Sequence, residues 1–481
     1  MKRKLFALIA VLLLIFTIGC ENVEYIENSS DPDESINIYD KLENDLPDLN
    51  DGDTPIGEQQ TFKIVTDKKT VFLNDESNPA SINKAITDRN AFLKSKYGEN
   101  IEVVEVASNK VADELKAAVA SDMEYCDLLS ISAKETVKLF TAKLLTDMNT
   151  LPDFNAENTF FDKENATSLA TNQTFYMLAD PTALVYEDMY VFFYNNDIVQ
   201  KSGKNPEDLV MQGKWTWDAF NEIAKASAPD VYNKVSADLN NDVFAFGSYH
   251  LEGTYPLVMW TSSGEKMIKD TYKKPVAFSM NTDDVVTIAE KLMQSYNSSG
   301  KYPFEEQHAL NAFLNNRLAF FCHNLDFFYA LRDGTTKGSN YGILPIPKVN
   351  EEQDGYNCLV SSDARVFSVP ITVANDSEDR KRFVSAVLSA TCASGNNTIP
   401  KAFANHHIGM YLNNNSEAVM FNTVIDSLTF DFANVFGSSI YEIRLHTTAA
   451  IVDYLDIGSG LVNSINYSKA GFDSYCTTNF N

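Results

Sequence analysis

From Thr61 onward the sequence alternates between two hydrophobic periods, and that alternation restricts the fold more than any other feature. Phe62, Ile64 and Val65, then Val71 and Phe72, read as a strand or a pair of strands, and 81–96 reads as a helix. Residues 101–106 alternate as a strand, Val111, Leu115, Ala118 and Val119 recur at helical spacing, and 125–131 suits a buried strand. A chain that returns to strand after each helix builds an α/β lobe around a largely parallel sheet. The folded stretch holds about 420 residues, more than one core ordinarily supports, so two lobes are expected.

Further along, 175–197 reads as a long strand ending at the turn Asn195-Asn196-Asp197. In Trp215-Thr216-Trp217-Asp218-Ala219-Phe220, Thr216 suits a helix N-cap and Asp218 favours the positive end of the helix dipole. Trp215 can then pack on Phe220 as a hydrophobic staple, so both tryptophans read as structural. Residues 283–293 read as a helix with acids at its start, and 313–322 as a helix end followed by a strand. The segment 341–348 reads as a short strand stopped by prolines. A strand over 365–372 and a capped helix over 376–390, with Phe383, Val384, Val387 and Leu388 inward, lead into a mainly helical remainder.

The N-terminus carries a different signal. Lys2, Arg3 and Lys4 precede an apolar run of 14 residues, Leu5 to Ile18, ending in Gly19 and Cys20. That order is a signal-peptide layout, and the run is short of the ~20 residues needed to span a membrane. Thr17-Ile18-Gly19-Cys20 resembles the lipobox of bacterial lipoproteins, with Thr17 where Leu is usual. The resemblance implies lipidation of Cys20 at the outer face of the cytoplasmic membrane, with simple cleavage and secretion as the alternative. Residues 21–60 hold thirteen acids and one base, Lys41, too polar a composition to fold, and read as a disordered tether.

Without the signal the chain has 36 basic and 66 acidic residues, a formal charge of −30. Such a balance disfavours nucleic acid and other polyanions as partners. Of six cysteines, five remain after lipidation, which implies no disulfide framework. Cys126 and Cys322 lie in apolar runs and read as buried free thiols.

Four segments in order carry a family likeness: Tyr194-Asn195-Asn196-Asp197, Trp215-Thr216-Trp217-Asp218, Phe313-Leu314-Asn315-Asn316-Arg317-Leu318-Ala319-Phe320-Phe321 and Tyr341-Gly342-Ile343-Leu344-Pro345-Ile346-Pro347-Lys348. Together they resemble the extracellular solute-binding proteins of the maltose-binding type, the family 1 components of ABC importers. Asn315-Asn316-Arg317 departs from the family's glycine-lysine. The resemblance implies a two-lobed periplasmic-binding-protein-like fold of type II, with ligand in the cleft between lobes and closure about a hinge. The first lobe would comprise 61–186 plus about 364–412, and the second 187–363 plus about 413–481, with crossings near 183–188 and 362–368. It also implies a monomeric, non-catalytic binder without a cofactor, which captures a carbohydrate for permease subunits in the membrane.

A sugar offers apolar CH faces and a rim of hydroxyls, so its site needs aromatic planes beside convergent carboxylates, amides and guanidinium groups. Strand ends facing the cleft are where to look. Asn324, Asp326 and Phe327, after the strand ending at Cys322, are the first candidates; the alternative is a helix capped by Asn324 with Phe327 in the core. Tyr255 and Trp260 come second, with helix packing as their alternative. Ser130 and Ser132 end a strand of the first lobe, and Arg365 could bind hydroxyls or pair with Asp363 or another acid. Asp238-Leu239-Asn240-Asn241-Asp242 offers oxygen ligands at alternate positions but lacks the EF-hand glycine and distal glutamate, and reads as a polar turn. His406-His407 show no zinc spacing. The competing functions are a binder of peptides or polyols, a sensor or adhesin of the same fold, and a secreted glycoside hydrolase, for which no nucleophile or metal motif speaks.

Overall fold

The computed structural model describes residues 60–98, 100–156, 184–232, 238–248, 254–265, 306–334, 340–396, 398–411 and 415–431, with isolated residues and shorter stretches elsewhere. The signal peptide, Cys20, most of the expected tether, most of the 283–293 helix and Cys476 lie outside the described residues. Among the described residues no helix is long and apolar enough to cross a membrane.

The first sheet uses strands β1 (Thr61–Thr66), β2 (Asn100–Glu105), β3 (Leu128–Ser132) and β8 (Arg365–Ser368), in the order β8-β3-β1-β2. β1 pairs in parallel with β2 and β3, and β8 runs antiparallel to β3. Side chains alternate across a strand, and both faces are covered: Phe62, Ile64 and Leu128 enter one apolar cluster while Val65, Leu129 and Ile131 enter another. Helices α1 (Ala80–Tyr97), α2 (Ser108–Ala120) and α3 (Ala133–Thr141) follow the strands as crossovers.

The second sheet has β4 (Tyr190–Asn195) at its heart, flanked by β6 (Leu318–Asn324) and β7 (Tyr341–Leu344), both antiparallel to it, while β5 (Phe244–Ser248) pairs in parallel with β6. Every residue of β4 is buried, and Phe192 and Phe193 pack on Phe220, Phe246, Phe327 and Phe328. Helix α4 (Trp217–Ser227) starts where expected: the Thr216 hydroxyl accepts from Ala219 N at 3.3 Å, and Trp215 meets Phe220 edge to face at 6.1 Å. Both indoles are fully buried and donate to the Pro345 and Pro347 carbonyls, which fixes the proline strand against α4. Helix α5 (Phe327–Gly334) follows β6.

Two crossing segments join the sheets and are bonded to each other. Met189 bridges Val360 antiparallel, and Ser361 N donates to Asp188 O at 2.8 Å. Beyond β8, helix α6 (Glu378–Asn396) and helix α7 (Ile399–Tyr411) pack on α1, and helix α8 (Asn415–Asp426) packs on β7 of the second lobe.

Several expectations are corrected. Val71 sits in a 3-10 turn, Lys69–Val71, rather than a second strand. Among the described residues of 175–197, the strand is β4, with a helical turn on each side and an isolated antiparallel bridge from Met177 to Phe367, and it ends where the Asn195 side chain accepts from Ile198 N and starts a helix. Within the expected tether, Leu46 and Leu49 are buried against the first lobe, with Pro47 O accepting from Tyr97 and Asp48 O from Arg382. Apolar leucines spaced by three can bury even inside an acidic segment, since their burial offsets the local ordering cost. The Asn316 departure from the family is explained by its φ of 57°, a left-handed position after a helix that asparagine tolerates better than other non-glycine residues. Cys126, Cys322, Cys358 and Cys392 are all buried and free.

Candidate functional site

In a parallel sheet all carboxyl ends point to one side, and loops leaving those ends converge there. In the first lobe they bring together Asp67 and Lys68 after β1, Ser108 and Asn109 after β2, and Ser132, Lys134 and Glu135 after β3. β8 is antiparallel, so its first residue, Arg365, joins the same end. From the other side come Glu187 and Asp188 of the first crossing, Asp363 of the second, and Asp326 after β6. These residues line a cleft of about 620 Å³.

Backbone bonds hold the second-lobe side in place, since Asp326 N donates to Glu187 O at 3.0 Å and Leu325 N to Met189 O at 3.0 Å. Charges then organise the walls. Arg365 Nε donates to Asp67 Oδ1 at 2.6 Å, and Ser108 donates to the other Asp67 oxygen. Lys68 reaches Glu187 across the cleft at 3.4 Å, and Tyr329 donates to the second Glu187 oxygen at 2.6 Å. Lys134 pairs with Asp363, and Glu135 with Lys138.

Two carboxylates differ. Asp326 is half exposed, and among the described residues its charge partner is the His323 ring at 3.5 Å. Asp188 sits at the crossing, and burial pushes its carboxyl up to about 8, against the pull of Arg365 and with the push of Glu187, Asp326 and Asp363. Ser132, only 4% exposed, lines the cleft and its hydroxyl has no hydrogen-bond partner.

Of the residues singled out from sequence, Asp326, Ser132 and Arg365 meet in this cleft. Arg365 is there in a salt bridge, with Asp67 rather than Asp363. Phe327 does not reach it: the ring is 2% exposed and packed among Phe193, Phe313, Phe321 and His323. Tyr255 and Trp260 are each 1% exposed, and the Tyr255 ring packs tilted against Phe246 with centroids 4.7 Å apart. All three serve the second-lobe core, because an aromatic beside a central strand removes more apolar area from water there than at a polar cleft. Ser130 is fully buried within β3, and Asn324 ends β6 paired with Tyr190; neither lines the cleft. Missed from sequence were Asp67, Lys68, Glu187 and Asp188, whose signal is their place just after a strand or at a crossing.

The Asp238–Asp242 turn is closed on itself, with Asp238 accepting from Asn240 N and Asn241 Nδ2, and Asp242 from Asp238 N. Among the described residues no group of three or more His, Cys, Asp or Glu is placed to hold a metal ion.

A family model for bacterial extracellular solute-binding proteins matches residues 89–391, more than half of the chain. No curated protein sequence matches. Among solved structures, the sugar-binding protein MalE of Xanthomonas citri aligns with a TM-score of 0.56 at 12% identity, covering 87% of this chain and 99% of that one. A cyclic alpha-maltosyl-1,6-maltose binding protein of Arthrobacter globiformis aligns with a TM-score of 0.56 at 10% identity, covering 87% and 100%. The maltose-binding periplasmic protein MalE of Listeria monocytogenes, solved with maltose, aligns with a TM-score of 0.54 at 11% identity, covering 88% and 99%. At such identities the likeness concerns the fold, which is the two-lobed, type II architecture of periplasmic binding proteins.

Proposed function

Because the chain belongs to the bacterial extracellular solute-binding proteins, we propose that it is the lipid-anchored capture component of an ABC importer, closing its lobes around a carbohydrate and presenting it to the permease. One observation carries the reading: a polar cleft at the strand ends of both sheets, walled by the two segments that cross between lobes. Charged and hydroxyl groups from both sides face it, as a ligand rich in hydroxyls requires. Rotation about the bonded pair of crossings would bring Asp326 and the first-lobe loops together without breaking either core. The reading treats the chain as a binder that leaves its ligand unchanged. Solved structures of like fold, among them the maltose complex from Listeria monocytogenes, support carbohydrate as the ligand class. Anchoring rests on Cys20 at the end of the short apolar run.

Thermal unfolding with a panel of oligosaccharides tests capture. A sugar present at 100 times its dissociation constant adds ~2.7 kcal/mol of stability. A shift with peptides and with no sugar would overturn the carbohydrate assignment, and turnover of a glycan would overturn the non-catalytic one.

A further inference from the structure

The cleft contains six carboxylates and three cations. Each cation is already matched to one acid: Arg365 to Asp67, Lys68 to Glu187 and Lys134 to Asp363. Glu135 is held by Lys138, which lies outside the lining. Two carboxyl groups are left facing the space without a Lys or Arg partner among the described residues: Asp326, which has the His323 ring at 3.5 Å, and Asp188, on whose carboxyl no hydrogen bond from a described residue falls. An anionic ligand has little to bind. The three cations are occupied, and the first two amides of α3 donate to Ala364 O and Ser362 O. Beside this surplus of negative charge lies the buried, unpartnered hydroxyl of Ser132, a polar group whose burial costs free energy until something bonds to it.

Resting on the capture reading, we propose that the solute taken by this cleft is a saccharide bearing a protonated amine, with the ammonium received by Asp188 and Asp326 and a hydroxyl by Ser132. An ammonium has three donors and no acceptor, which matches carboxylates that no lysine or arginine of the cleft neutralises. Lobe closure removes water from the pair and strengthens the attraction. The charged groups that act on Asp188 are Glu187 on its own segment, Asp363 and Arg365 from the second crossing, and Asp326 ahead of α5, while Asp67 and Lys68 after β1 and Lys134 and Glu135 of α3 line the same cleft. Their acidic excess makes a bound cation favourable and an ionised, unliganded Asp188 costly. Binding of the amine in its already protonated form therefore sends the Asp188 proton to solvent, a signature that a neutral sugar does not produce.

Titration calorimetry of the purified protein with chitosan oligosaccharides, their fully N-acetylated counterparts, maltooligosaccharides and spermidine tests the idea. Binding of the deacetylated sugar at least tenfold tighter than its acetylated twin, with proton release read in two buffers of different ionisation enthalpy, is the expected result. Asp326→Asn should weaken that binding by about tenfold or more while leaving the unliganded melting temperature in place, because Asp326 is half exposed. Equal affinity for acetylated and deacetylated sugars, or for maltooligosaccharides, would overturn the amine while leaving capture intact. Binding of spermidine and of no saccharide would overturn the carbohydrate reading, and this inference with it. An Asp326→Asn protein that binds the aminated sugar undiminished would also overturn the inference.

Discussion

Asp188→Asn isolates the group on which the electrostatics of the cleft turn. Its carboxyl stands at about 8 in the folded chain against an ordinary 3.8. Between those values the folded protein holds a proton that the unfolded chain has released, so stability falls as pH rises through the window. Four units at ~1.4 kcal/mol each set a ceiling of roughly 5 to 6 kcal/mol. Asparagine keeps the shape and cannot ionise, so the variant lacks this loss. Urea unfolding of both proteins without ligand, from pH 4.5 to 8.5, reads the difference, and ionisations common to both cancel. The variant should gain roughly 4–5 kcal/mol on the parent across that range, most of it by pH 8. A difference that stays constant with pH, or a variant that loses ground as pH rises, would refute the reasoning.

Three further outcomes follow from named contacts. Cys20→Ser should move the protein from the membrane fraction to the medium and abolish incorporation of labelled palmitate; retention at the membrane would remove the anchor from the account. Phe327→Ala should cost about 3–5 kcal/mol of unliganded stability in urea unfolding, as expected for a ring buried among four aromatic neighbours. A near-native midpoint with lost ligand binding would instead return Phe327 to the site. Gly342→Ala should destabilise by roughly 1–3 kcal/mol, because an added Cβ would lie 2.5 Å from the Tyr194 ring, which Glu207 holds by a hydrogen bond. An unchanged melting temperature would mean that β7 can slide away from β4.

The helix start at Trp217 was legible because capping chemistry is local: a threonine hydroxyl, an acid in the first turn and an aromatic pair on either side of the cap. β3 was legible because Leu128, Leu129 and Ile131 put apolar side chains on both faces of a short run. The run 175–197 was not, since aromatic and aliphatic residues in succession fit strand and helix alike, and only the Asn195 cap ended the strand. At the site, sequence favoured aromatics beside polar residues, and Phe327, Tyr255 and Trp260 went to the core. What lines the cleft is mostly charged side chains with no local pattern. Asp67, Ser108 and Ser132 become neighbours only through the parallel order of β1, β2 and β3, and Asp188 joins them only through the crossing. That information lies in strand pairing, not in any stretch of residues.

Closure on a ligand is the central claim, and the distance between lobes reads it directly. Cysteines introduced at the exposed Lys110 of the first lobe and Lys201 of the second, in a Cys20→Ser, Cys476→Ser background, can carry spin labels while the four buried thiols stay unreactive. Pulsed electron resonance should give a shorter and narrower distance distribution on adding a saccharide that raises the melting temperature, with no change on adding one that does not. A saccharide that binds and stabilises the protein yet leaves the distribution where it was would contradict capture by lobe closure.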